Sequence, residues 1–96
     1  MATLTLVSPR NHPLQPLVEA ALAKELHLLE AAIQRTEQRL HQFEQQQQMS
    51  TAEFLVRYEN DELTETLEFA EWIGEHRLLA RLREKAETVR EIQFAH

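Results

Sequence analysis

Apolar positions along this chain fall into two long stretches of helical spacing, joined by a short polar-capped segment. From Leu14 the chain reads as helix. Leu22, Leu26, Leu29, Ile33, Thr36, Leu40 and Phe43 follow alternating steps of four and three. That is a heptad seam with one polar member, Thr36. Leu14, Leu17, Val18 and Ala21 widen the apolar face near its start. Pro16 fits only in a first helical turn, so the spacing predicts a helix over 14–48.

Four glutamines, Gln45 to Gln48, follow the last seam residues. Glutamine is a good helix former, so nothing inside the run stops the helix. The restart is better marked. Ser50 and Glu53 have capping-box spacing, and Met49 and Phe54 stand where a hydrophobic staple would close over it. A short helix is expected over 50–58. Asn60 and Asp61 are good cap or turn residues. A third helix is expected over 62–92, with Leu79, Leu82, Ala86 and Val89 in heptad steps. Gly74 lies inside it, either for close helix approach or at a bend. Residues 1–8 contain "ATLTLV", which alternates as one short strand before Ser8-Pro9 and His12-Pro13 break the chain. A lone strand has no partner in a helical chain. It is either a frayed terminus or a strand that pairs outside the protomer.

The expected fold class is therefore all-α: a long antiparallel helical hairpin with a short connecting helix and a short N-terminal strand, in one domain. The two long helices match in length, and a short connection favours antiparallel neighbours. A chain of 96 residues burying only two helices is marginal, so oligomerisation is expected as well.

Composition sharpens this. One glycine, three prolines and no cysteine suit long helices and exclude disulfides and thiolate chemistry. No apolar run approaches the roughly 20 residues of a membrane span, and no secretory signal is visible, so a cytoplasmic location is expected. The net charge of −6 argues against nucleic acid as the main ligand and suits a basic protein partner. Equally, it suits ordinary solubility.

No cofactor motif, catalytic set or metal site is legible. His27-x-x-Glu30 and His41-x-x-Glu44 read as solvated pairs rather than ligands. The chain is not expected to be an enzyme. Glu59, Asp61, Glu62, Glu65, Glu68, Glu71 and Glu75 form an acidic run with no Lys or Arg between them. Phe69, Trp72 and Ile73 are interleaved. An acidic face with aromatic anchors fits a basic partner, and a helix dipole explains the same order of signs. The aromatics serve equally well as core.

Residues 49–92 resemble a family of small bacterial helical proteins. The shared pattern is Met49-Ser50, Glu53-Phe54, Arg57-Tyr58, Glu62-Leu63 and Phe69-x-Glu71-Trp72. Many such proteins are encoded beside a toxin-like protein and are described as predicted type II antitoxins. The upstream helix is similar too. The family commonly has Tyr-Gly-Met-Ser where this chain has Gln47-Gln48-Met49-Ser50, so the glycine that would end the first helix is missing. The resemblance implies binding and neutralisation of a cognate toxin, often a nuclease. The expected contact residues are Leu4 and Leu6 by strand addition, with Phe54, Tyr58, Glu62, Glu65, Phe69, Trp72 and Ile73. The aromatics among them either anchor the partner or hold the hairpin closed. A self-associating four-helix module without a toxin is the other reading of the same seam.

Overall fold

A computed structural model describes residues 2–5 and 14–94. Three helices dominate them: α1 (Leu14–Gln47), α2 (Thr51–Glu59) and α3 (Leu67–Glu91). α1 packs along α3. Three cross-helix ion pairs fix their relative direction. Arg39 reaches Glu71, Glu37 reaches Arg83 and Glu30 reaches Arg90, so positions rise on one helix as they fall on the other. The helices are antiparallel and form a hairpin, with α2 across its closed end. The molecule is a rod of 61 × 21 × 18 Å with a radius of gyration of 19.2 Å. A compact chain of this length would have about 12–13 Å.

Both helix ends in the connection are capped without glycine. Gln48 takes the left-handed conformation, with φ 54°. The Met49 amide then donates back to the Glu44 carbonyl at 3.3 Å, the long bond of a Schellman motif. Asp61 does the same after α2, at φ 55°, with Glu62 donating to the Arg57 carbonyl at 2.9 Å and Asp61 to Tyr58 at 3.2 Å. Ser50 is the N-cap of α2, and its Oγ accepts from the Glu53 amide at 3.1 Å. Glu53 does not complete the box. Its carboxylate takes Arg57, one turn on, at 2.9 Å.

α3 begins five residues later than the apolar spacing suggests. Thr66, in extended conformation, is its N-cap and accepts from the Phe69 amide at 3.1 Å. Residues 62–66 instead span the gap between α2 and α3, and Glu65 accepts a hydrogen bond from the Tyr58 hydroxyl there. α3 also stops at Glu91, because Ile92 is extended. The backbone of Ala2–Leu4 lies in parallel register with Ile92–Phe94, so this segment's neighbour is within the chain. Leu6 lies outside the described residues.

The core sits at the closed end. Leu40 and Phe43 of α1, Phe54 of α2, and Trp72, Ile73 and Leu79 of α3 are buried together. Met49, Leu55, Tyr58, Leu63 and Phe69 pack around them. Toward the open end burial thins to Leu29, Thr36 and Ala86. Thr36 is tolerated because its hydroxyl donates to the Ala32 carbonyl at 2.8 Å, inside its own helix. Gly74 serves no close approach. A Cβ added there would meet nothing within 4 Å.

Candidate functional site

The closed end is organised by a three-ring stack, one ring from each helix. Trp72 of α3 lies between Phe43 of α1, at 5.6 Å and 10° between planes, and Phe54 of α2, at 4.0 Å and 5°. Phe54 also meets Phe69 at 5.3 Å and Tyr58 at 5.8 Å, both tilted. Trp72 and Phe54 have no exposed surface. The indole still needs a partner for its N–H when buried. Thr51, the first residue of α2, supplies it at 3.0 Å. One side chain thus fixes α2 on α3 by stacking and by a directed hydrogen bond.

Glu44 completes the joint. Its Oε2 accepts from the Thr51 amide at 2.8 Å, so the last turn of α1 caps the first turn of α2. That backbone hydrogen bond holds the Glu44 carboxyl below the usual carboxylate range, against a smaller opposing effect of desolvation. His41 stands 3.7 Å from the other carboxylate oxygen, as the solvated pair expected from its spacing. The other such pair is not made: Glu30 is taken by Arg90 at 3.2 Å.

The residues expected to meet a partner divide by burial. Phe54, Trp72 and Ile73 are core, and their work is to hold the hairpin closed. A partner cannot reach Phe54 or Trp72 without opening that core. Tyr58 and Phe69 are half-buried on its rim. Glu62 and Glu65 are exposed. The hydrogen bond to the Glu65 carboxylate pushes the Tyr58 hydroxyl's pKa up, because ionising Tyr58 would set two negative groups against each other. Leu4 is described only by its backbone register with Phe94.

No match is found when the chain is compared with protein-family models, curated proteins or solved structures.

Around the rim, Glu59, Asp61, Glu62, Glu65 and Glu71 are exposed, and Glu68 and Glu75 are half-exposed. Among them stand two large apolar side chains that the core does not use: Val56, 58% exposed, and Leu67, 77% exposed. The sequence reading passed over both. Leu67 is the first residue of α3, directly after the N-cap Thr66. Val56 lies two residues past Phe54 on a single-layered helix, so it faces away from the residue that is buried. The basic half of α3 differs. Arg83 and Arg90 are engaged by Glu37 and Glu30, which leaves less free charge for phosphates.

Proposed function

We propose that this chain is an antitoxin-like interaction module that binds and neutralises a basic protein partner at the closed end of its hairpin. One observation carries the reading. Seven acids run from Glu59 to Glu75 uninterrupted by Lys or Arg, and those up to Glu68 lie beside the connection where Val56 and Leu67 are exposed. Acids steer a basic partner to the site and exposed apolar side chains give it somewhere to bury surface. The resemblance of residues 49–92 to predicted antitoxins points the same way. In this reading Glu62, Glu65, Val56 and Leu67 make contact, Tyr58 and Phe69 form the edge, and Phe54, Trp72 and Ile73 keep the surface in shape. Strand addition through the N-terminal segment, including Leu4 and Leu6, is a second proposed contact. Its register with residues 92–94 would have to open or extend to admit a partner.

The test is growth of cells expressing the adjacent reading frame, alone and with this chain. Arrest by the neighbour, relieved by this chain and not by its Glu62→Lys, Leu67→Asp variant, is the expected result. No arrest from a neighbour that is made and soluble would overturn the reading.

A further inference from the structure

The two sides of the hairpin are unlike. One side is closed by its own ion pairs, Glu37 with Arg83 at 2.9 Å and Glu30 with Arg90 at 3.2 Å. Helical spacing puts the seam between α1 and α3 on the opposite side in an open groove. Near its middle the groove is lined by Ala32, Arg35, Thr36, Glu75, Leu78 and Leu82. Toward the open end, Glu25, Leu29, Lys85 and Val89 line it. Leu28, 54% exposed, lies one turn before Ala32 and Arg35 on the same stripe of α1.

Arg39 also lines this groove and is engaged by Glu71 at 3.5 Å, but the other charges along it are unspent. Glu25, Arg35, Glu75 and Lys85 take part in no ion pair among the described residues. Their placement is self-complementary. Arg35 stands to Glu75, and Glu25 to Lys85, in the same offset along the antiparallel helices as Arg39 to Glu71, which pair at 3.5 Å. A twofold axis along the hairpin keeps levels and lays α1 of each copy on α3 of the other. Every helix then has antiparallel neighbours, as in an up-down-up-down bundle. Arg35 meets Glu75 of the second copy, and Glu25 meets its Lys85. Each pair occurs twice.

The surface area agrees. The chain exposes 7276 Å². A compact monomer of 11.3 kDa exposes about 5,700 Å². The excess of roughly 1,500 Å² follows from the rod shape, which leaves room along its length for the ~800 Å² per partner that a standard stable interface buries. We propose that this groove seats a second copy of the chain, forming a four-helix dimer through Leu28, Leu78 and Leu82 with reciprocal Arg35–Glu75 and Glu25–Lys85 pairs. The closed end stays free in such a dimer. The inference does not rest on toxin neutralisation, because its test reads the mass of this chain alone.

Light scattering of the full chain at about 100 μM should give twice the 11.3 kDa chain mass. Leu78→Arg should give a monomer with unchanged helical circular dichroism, since Leu78 is already 36% exposed. Arg35→Glu should weaken the dimer about tenfold, because a twofold interface loses the pair twice. Arg35→Glu combined with Glu75→Arg should restore it. A wild-type monomer at that concentration overturns the proposal. So does a dimer indifferent to Leu78→Arg, or a charge reversal that the second reversal does not rescue. If Leu78→Arg unfolds the chain, the charge pair decides.

Discussion

Gln48 and Gly74 stand in each other's natural places. Gln48 holds a left-handed φ of 54° that costs a side-chain-bearing residue about 1–2 kcal/mol relative to glycine. Gly74 sits in the middle of α3 with open space where a Cβ would go. Glycine there costs about 0.5–1 kcal/mol relative to alanine. Gln48→Gly and Gly74→Ala are each expected to raise stability by about 0.5–1 kcal/mol, a thermal midpoint several degrees higher. Thermal melts of the two single variants check this; a fall in either would show that the residue is held by something other than its backbone. The Gln48 cap was only half legible. The absence of glycine could be read, but not that the chain would make the same turn with glutamine, because the turn is enforced by α2 docking on the core. The null role of Gly74 was not legible either, since spacing gives a residue's face and not its distance from the next helix.

At the scale of elements, the joint between α1 and α2 depends on one carboxylate. Glu44 accepts from the Thr51 amide, and Thr51 in turn receives the Trp72 indole N–H. Because the folded-state pKa of Glu44 is depressed, its contribution is present above the unfolded value near 4.5. It is lost as pH falls through the folded value. Glu44→Gln should therefore be less stable than the parent at neutral pH, with the difference shrinking as pH falls below about 4.5. Denaturant titrations at several pH values measure this, and a difference independent of pH would remove the ionised carboxylate from the account. The helices themselves were legible because heptad spacing survives any choice of partner. The start of α3 was not. Leu63 continues the apolar pattern, yet residues 62–66 are needed to cross from α2 to α3, and periodicity carries no information about that distance. The aromatics were legible as a group, and their inward role was not. A helical period says which face Trp72 shares with Leu79, not that Phe43 and Phe54 would sandwich it.

Across the whole molecule, burial is graded. The six-residue core lies at the closed end, and the far half of the rod is held by few buried side chains and by exposed ion pairs. Exposed pairs of this kind contribute about 0–1 kcal/mol each. Amide exchange at low micromolar concentration should therefore be at least about tenfold slower around Trp72–Leu79 than around Ala86–Arg90. Uniform protection along α3 would mean that the rod opens only as a unit.

The three-ring stack also dictates when the fold can exist. Phe43 and Phe54 are eleven positions apart, and Phe54 and Trp72 are eighteen apart. Its members are close enough in the chain for rapid closure, which suits fast folding from the tip outward. Yet a ribosome delivers α1 first. At about 5–20 residues per second, Phe43 precedes Trp72 by a second or more. Throughout that interval the seam of α1 has nothing to pack against. The nascent chain is therefore committed to its hairpin only after Trp72 has emerged, and it then folds by zipping back over a helix that was made long before.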